Sequence, residues 1–564
     1  MKQNWYKPHP YGVYPRGNAT NSDQIMNRFG TLSRLFQIGS SNEQDDTELP
    51  FLELMQLLMS FIDVEGLCRL SRACTGWYVM VHCSDAFKTA YTSLFSNYLC
   101  YRGSWKETAI RGYLRHNRKD LVGRSDESLS SQQRHLVDTC MSRCSSTENL
   151  VKAHRPVLLS RSYFCDNFFQ AWMCTLLPPT YHLCPIASSS TIDQRVSGCQ
   201  NEIQGEADSI FSLDSSSSTQ QYSSRFKPVE RCSKISRDEF RQRFEERNVP
   251  VVITDIATEW PFFKILARDF KNLSVQKKLL MRSGCPVDIP FRCEHTNMSL
   301  DDYVRYATEQ TDERPIYLFD PEFGDALDLE RLYTVPAHFA RDDFFSTLGP
   351  ERRPKHRWLI AGPARGGSSF HVDPNYTSAW NANLTGRKRW LLFPPGVPPP
   401  GVMPSPDMAE VATPLSLTEW LLNYYDAAEV QLRGVGYECI CEPGEIMFIP
   451  SGWWHYVINL EDSVAITQNY VSECNLPSVI KFLRHMKGSI SGIDEDAEGT
   501  SEAAIQKRRE RFADEFVAAM HRCHPAVIQR VEDQLNEEQE HRKRKRMHRV
   551  DLLEGSSDGF KFNF

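Results

Sequence analysis

Residues 369–393 read SFHVDPNYTSAWNANLTGRKRWLLF and place His371 and Asp373 two positions apart. A second histidine, His455, lies further on in the sequence Gly-Trp-Trp-His. Two imidazoles and one carboxylate are the protein ligands of non-haem Fe(II) sites, which keep open positions for other ligands. In a chain with 16 histidines, a His-X-Asp tripeptide also arises by chance. The alternative is that His371, Asp373 and His455 are hydrogen-bonded or packed core residues. The surrounding sequence has to distinguish a metal site from such a core.

The residues that follow this tripeptide predict a β-hairpin with an unusual face. Thr385-Gly386 separates two strand-like runs, and glycine suits a two-residue turn that needs positive φ. The predicted register sets Asn383 opposite Lys388 and Asn381 opposite Trp390, so that these four side chains share one face. A lysine that points into a barrel is costly unless it meets an anion. If this face is interior, it predicts an anion-binding site.

A second predicted hairpin contains the distant histidine. Residues 455–459 and 463–470 form strand-like runs joined by a three-residue loop. This pairing sets His455 opposite Thr467 and puts Asn469 on the same face. A 2-oxo acid such as 2-oxoglutarate would chelate a metal at one end. At its other end, a carboxylate would meet a buried lysine and a hydroxyl through charge-assisted hydrogen bonds.

Two segments together resemble a JmjC domain, closest to the bifunctional arginine demethylase and lysyl-hydroxylase subgroup. They are residues 357–394, which contain the tripeptide and first turn, and residues 443–470, which contain GWWH and TQN. The resemblance extends over residues 229–477 and implies a double-stranded β-helix, a barrel of the cupin or jelly-roll kind. It implies iron ligation by His371, Asp373 and His455. The cosubstrate contacts that it implies are Asn381, Lys388 and Thr467, and also Tyr317, Ser368 and Asn469.

The resemblance implies an Fe(II)- and 2-oxoglutarate-dependent oxygenase that modifies a protein. The substrates expected from the family include histones and splicing-type nuclear proteins. Lysyl hydroxylation and N-methyl demethylation of arginine or lysine both remain open. Relatives often have threonine where Ser368 stands, so the hydroxyl persists without the methyl group. A Pro-rich segment, residues 394–406, and a predicted helix over residues 416–425 interrupt the barrel strands and leave the substrate open.

The N-terminal part of the chain predicts a helical domain. Apolar residues recur at helical spacing over residues 54–62, and Asp63 can cap a second helix. Residues 49–91 resemble an F-box, which implies docking onto a Skp-type adaptor of a cullin ubiquitin ligase. The chain would then be a substrate receptor whose barrel binds a target without oxidising it. A helical bundle that packs only within this chain is the other reading.

Composition narrows the remaining possibilities. A chain of 564 residues is too long for one core. Its net charge of −7 provides no general attraction for nucleic acid, so such a contact needs a local patch. The basic run from Arg542 to Arg546 could be that patch or a nuclear import signal, and the alternative is a solvated helix end. With no signal peptide or apolar span expected, we predict reduced thiols, no membrane contact and a nuclear location, with the cytoplasm also open.

The expected fold class is α+β: a barrel with an N-terminal all-α domain and C-terminal helices. Strands are expected over residues 251–254, 316–319, 358–362 and 445–449, and helices over residues 476–486 and 502–521, with a further helix from Pro525. The predicted domains are a disordered segment 1–45, an F-box-like helical domain 46–185, a Ser-rich linker 186–225, an oxygenase domain 226–477, C-terminal helices 478–550 and a tail 551–564.

Overall fold

A computed structural model describes residues 58–119, 174–185, 222–266, 277, 290–493 and 501–554. Short gaps lie at 74–76, 78–80, 82–84, 96–97, 295, 324–326, 341–342, 407, 409 and 415. The predictions for residues 1–45, for most of the linker and for much of the first F-box-like helix lie outside the described residues.

The strands of the described residues are β1 Cys184–Pro185, β2 Tyr222–Ser223, β3 Lys227–Pro228, β4 Glu230–Cys232, β5 Val251–Ile253, β6 Phe291–Cys293, β7 Thr296–Met298, β8 Leu318–Asp320, β9 Arg357–Gly362, β10 Gly367–His371, β11 Ser378–Thr385, β12 Lys388–Phe393, β13 Met403–Pro404, β14 Val411–Ala412, β15 Tyr437–Cys441, β16 Ile446–Ile449, β17 Trp454–Asn459 and β18 Ser463–Tyr470.

The α-helices are α1 Val64–Ala73, α2 Ala86–Leu94, α3 Trp105–Lys119, α4 Arg237–Phe240, α5 Pro261–Leu266, α6 Leu300–Glu309, α7 Leu329–Leu332, α8 Ala337–Ala340, α9 Leu417–Asn423, α10 Tyr425–Leu432, α11 Leu476–His485, α12 Glu502–Cys523 and α13 Pro525–Glu554. Helix α4 continues as a π-helical turn, Arg241–Glu245. The basic run lies within α13, and its role as an import signal or nucleic-acid contact stays a prediction.

Two sheets form the barrel. One has the strand order β10-β17-β12-β15-β3, and the other has the order β4-β5-β16-β11-β18-β9-β8. Side chains from both sheets share one buried cluster, including Ala379 and Met447 from the larger sheet and Trp390 and Val457 from the smaller one. Successive strands such as β11 and β12 lie in opposite sheets, as in a jelly roll. The predicted double-stranded β-helix is therefore confirmed.

Both predicted hairpin pairings are wrong. Strand β11 pairs with β16 and β18, so Asn381 lies opposite Thr467. Strand β12 pairs with β15 and β17, so Lys388 lies opposite Asn459 and not Asn383. His455 lies opposite His371 and not Thr467. The loops between β11 and β12 and between β17 and β18 cross from one sheet to the other. A short loop between two strand-like runs in the sequence looks the same in a crossing connection as in a hairpin.

The N-terminal helices pack against α6, where Tyr101 and Trp105 contact the ring of Tyr306, and one buried cluster connects them to the outer face of the larger sheet. Leu67 is fully buried in a cluster that continues through Tyr306 to Trp380 of β11. At the contact, Trp105 donates its indole N–H to Asp312 over 2.8 Å. The predicted cap of the second helix forms, because Asp63 Oδ1 accepts from the Gly66 N–H at 2.7 Å. Much of the apolar surface of these helices is thus buried against other parts of this chain.

Residues 174–185, at the end of the predicted helical domain 46–185, pack on the opposite side of the barrel. Leu177 lies in the cluster that covers the outer face of the smaller sheet, beside Trp420 and Tyr456. Strands β1 and β2 pair, with Cys184 opposite Ser223 and Pro185 opposite Tyr222.

The buried guanidinium of Arg389 fastens this segment to the smaller sheet. Its Nε donates to Glu438 Oε1 at 2.7 Å, and its Nη1 donates to the carbonyls of Pro179 and Tyr181 at 3.0 and 2.6 Å. Both charged side chains of the pair are almost completely buried.

We expect the single variant Arg389→Met to lose about 3–5 kcal/mol of unfolding free energy, because it leaves the Glu438 carboxylate buried without its cation. The double variant Arg389→Met/Glu438→Leu should recover most of this loss. Urea denaturation of the three proteins measures both effects. Equal stability of the wild type and the single variant would contradict this account.

No helix in the described ranges is both long and apolar enough to cross a membrane.

Candidate metal centre

Three potential ligand atoms converge in the barrel interior. His371 ends β10 and lies opposite His455 of β17, while Asp373 follows two residues after the end of β10. One ligand atom from each residue lies within 4.8 Å of the others. His455 Nε2 is 3.9 Å from Asp373 Oδ1, and the two imidazole centroids are 4.1 Å apart. The structure therefore brings together the three residues that the sequence singled out as metal ligands.

Backbone carbonyls orient both imidazoles. His371 Nδ1 lies 2.8 Å from the carbonyl of Ser369, and His455 Nδ1 lies 3.1 Å from the carbonyl of Trp453. A carbonyl oxygen only accepts, so in each neutral ring Nδ1 carries the proton. Nε2 then has a free lone pair, as in metal-binding histidines whose other nitrogen is held by an outer partner.

Burial sets the protonation states of this cluster. Desolvation lowers the pKa of His371 to about 4, with a further lowering by His455. Desolvation likewise lowers the pKa of His455 to about 4. Both rings are therefore neutral near pH 7, which is the form that binds a metal. Desolvation raises the pKa of Asp373 to about 6, against the lowering effects of His371 and Asn469.

The hydrogen bonding of the Asp373 carboxylate is incomplete among the residues that the structure describes. Its Oδ2 is buried and has no hydrogen-bond partner among the residues that the structure describes. A buried carboxylate oxygen without a partner is unfavourable, and a cation at this point satisfies it. Two neutral imidazoles and one carboxylate fit a divalent metal of the non-haem iron type.

Lys388 supplies a buried cation at another point of the interior. Its side chain is 2% exposed, and Nζ donates to Asn459 Oδ1 at 3.1 Å. Within the described part of the chain it has no acidic partner in an ion pair. Desolvation lowers its pKa to about 8, against a raising effect of Cys441. A buried lysine of this kind is stabilised by an anionic ligand.

The remaining predicted contacts form two pairs and one separate residue. Asn381 lies opposite Thr467, whose hydroxyl donates to the Trp380 carbonyl at 3.0 Å. That hydroxyl has to rotate before it can donate to a carboxylate. Ser368 Oγ donates to the Tyr317 hydroxyl at 3.4 Å. Asn469 is separate from both pairs and donates to Thr377 Oγ1 at 2.7 Å.

One predicted face residue has a different role, and one residue was missed. The Asn383 amide donates to the carbonyls of Gly386 and Cys441 and so supports the turn. Asn459 was missed, although it accepts from Lys388 and donates to the Pro363 carbonyl at 3.2 Å. Its position four residues after His455 on one strand puts both side chains on the same face, which is a signal that the sequence contained.

Comparisons with known proteins agree with this geometry. Residues 237–475 match the cupin-like domain family. The arginine-specific demethylase JMJ22 of Arabidopsis thaliana is 43% identical over 338 residues, which cover 60% of this chain and 62% of that protein.

Two further relatives carry related names. The bifunctional arginine demethylase and lysyl-hydroxylase psr-1 of Caenorhabditis elegans is 36% identical over 245 residues, covering 42% of this chain and 60% of that protein. The 2-oxoglutarate and iron-dependent oxygenase JMJD4 of Homo sapiens is 33% identical over 202 residues, covering 33% and 46%.

This chain covers less than two thirds of the length of each of these three relatives. The matched region contains both sheets' central strands and all three potential metal ligands. Residues 237–475 therefore form a cupin-like domain.

Proposed function

We propose that this protein is an Fe(II)- and 2-oxoglutarate-dependent oxygenase that modifies side chains of a protein substrate. The observation that carries the proposal is the cluster of His371, Asp373 and His455. Their ligand atoms lie within 4.8 Å of one another, and one carboxylate oxygen is buried without a hydrogen-bond partner among the described residues. The names of the relatives support the same chemistry.

When bound, Fe(II) and 2-oxoglutarate supply the oxidation of a substrate C–H bond by dioxygen, with release of succinate and carbon dioxide. His371 and His455 would hold the metal through neutral Nε2 atoms, and Asp373 through its carboxylate. Lys388 would bind the far carboxylate of 2-oxoglutarate, exchanging its contact with Asn459 for an ion pair. The buried interior around these residues excludes water and orients the reactants.

The relatives' names favour N-methyl arginine demethylation or lysyl hydroxylation as the reaction. The two outcomes differ in mass. Demethylation removes about 14 Da per methyl group and hydroxylation adds about 16 Da to the modified side chain. Mass spectrometry of arginine-methylated and lysine-containing histone and splicing-factor peptides, with and without 2-oxoglutarate, distinguishes them. If no peptide shows a loss of about 14 Da or a gain of about 16 Da, a protein substrate of this class is contradicted.

A second candidate function is an F-box receptor that docks onto a Skp-type adaptor. The supporting observation is that Phe61 is 80% exposed and Leu58 is 41% exposed, at the end of the first described helical turn. A partner groove would bury these apolar side chains.

We expect Phe61→Ala to weaken capture of a purified Skp-type adaptor by the full chain. Loss of a buried aromatic anchor at an interface costs about 2 kcal/mol or more, which is about 30-fold in affinity. Val430→Ala is the control, because Val430 is an equally exposed apolar residue on α10. Wild-type protein that fails to retain the adaptor would exclude this function.

A further inference from the structure

The turn that follows Asp373 has an unusual backbone. Asn375 and Tyr376 have φ values of 56° and 59°. Positive φ is uncommon for residues other than glycine, and a bulky residue keeps it only where its surroundings over-determine the conformation. This strained turn joins a potential metal ligand to strand β11, so the contacts that hold it also bear on the position of Asp373.

Hydrogen bonds with two other segments hold this turn, through the Asn375 side chain and the Tyr376 backbone carbonyl. Asn375 exchanges two bonds with Ser491, which follows helix α11: Nδ2 donates to the carbonyl at 3.0 Å, and the Ser491 N–H donates to Oδ1 at 3.2 Å. The Ser451 hydroxyl donates to the Tyr376 carbonyl at 2.6 Å. Ser451 belongs to the turn that leads to His455, so one strained segment touches both ligand-bearing parts of the barrel.

The ring of Tyr376 fills the space between these segments. It stacks on Phe482 of α11 with a centroid distance of 5.6 Å and an interplanar angle of 26°. The ring also approaches Gly452 so closely that a Cβ there would lie 2.7 Å from Tyr376 Cε1. Gly452 itself has a φ of 78°, so this turn requires glycine for both reasons.

We propose that Tyr376 is a positioning residue, which ties the Asp373 turn and the turn before His455 to helix α11. By holding both turns against one helix, the ring fixes the distance between two metal ligands. The proposal rests on the metal centre proposed above. Tyr376 is not itself in the ligand cluster, so it acts through the backbone of its neighbours.

The test is Co(II) binding to the full chain, with affinity from titration and ligand geometry from the visible absorption spectrum. Tyr376→Gly removes the ring but supplies the residue that adopts positive φ most easily. Phe482→Leu removes the stacking partner and leaves the turn intact. Both variants should bind Co(II) about 10-fold or more weakly, as is usual when outer-shell support of ligands is lost, and should alter the spectrum. Tyr376→Phe keeps the ring and should bind Co(II) with wild-type affinity.

A wild-type affinity and spectrum in folded Tyr376→Gly and Phe482→Leu would overturn the proposal. Equal weakening of Co(II) binding in Tyr376→Phe and Tyr376→Gly would also overturn it. The loss of the hydroxyl group alone would then account for the effect, and the packing of the ring would not matter. Circular dichroism melting verifies that the variants fold. If Tyr376→Gly does not fold, Co(II) binding by Phe482→Leu provides the test instead. Wild-type protein that binds no Co(II) would overturn the metal centre itself and this inference with it, which is a distinguishable result.

Discussion

Replacing His371 or Asp373 with alanine is expected to remove metal binding and 2-oxoglutarate turnover together. Loss of an outer-shell partner costs about 10- to 100-fold in metal affinity, so loss of a direct ligand should exceed about 100-fold. Asp373→Ala also removes the buried oxygen Oδ2, for which the described part of the chain provides no hydrogen-bond partner. Co(II) or Mn(II) titration and a succinate assay measure the two losses on the same preparation.

His521→Ala is the matched control for the histidine variant. His521 is a half-exposed residue of α12 that lies near Glu532, outside the barrel interior. This variant should retain wild-type metal affinity and turnover. Wild-type metal affinity in both His371→Ala and Asp373→Ala would contradict the proposed ligand set.

Replacing Lys388 with methionine is expected to raise the KM for 2-oxoglutarate by about 30-fold. The reason is the loss of a charge-assisted hydrogen bond, worth about 2 kcal/mol. Methionine keeps most of the volume of the buried stem, so the barrel should remain folded. Metal affinity without the cosubstrate should be unchanged, because Lys388 is outside the cluster of ligand atoms. Steady-state kinetics at varied 2-oxoglutarate concentration measures the effect.

Arg387→Met is the matched control for Lys388→Met, since Arg387 precedes it and pairs with Glu461 at the barrel surface. The pH dependence gives a second check. Burial lowers the pKa of Lys388 to about 8, so the cation is lost as pH rises through that value. Wild-type affinity for 2-oxoglutarate should therefore fall above about pH 8, and this decrease should be absent in Lys388→Met. An unchanged KM in Lys388→Met would contradict the assigned role.

The local elements of the barrel were predictable from the sequence, but the strand pairing was not. Runs of β-branched and aromatic residues predicted strands that appear as β5, β9 and β16. Which strands pair depends on contacts between residues far apart in the chain. The Thr385-Gly386 turn connects strands in opposing sheets, and its sequence is equally compatible with a hairpin.

The sequence nevertheless grouped the side chains of the first predicted hairpin on one face, although it left open whether that face was interior. Alternation along each strand places Asn381 and Lys388 in the interior whether their strands pair directly or face each other across the barrel. Asn459 was missed because its contact with Lys388 depends on the pairing of β12 with β17. The positive φ of Tyr376 was also beyond prediction, since tyrosine rarely adopts it.

Succinate formation by the full chain tests the central claim most directly. Purified protein is incubated with Fe(II), 2-oxoglutarate, dioxygen and a mixture of nuclear peptides, beside the His371→Ala variant. The account predicts succinate release by the wild type that requires added Fe(II) and is reduced to background in the variant. Equal, background-level succinate in both proteins, with metal bound to the wild type, would contradict it.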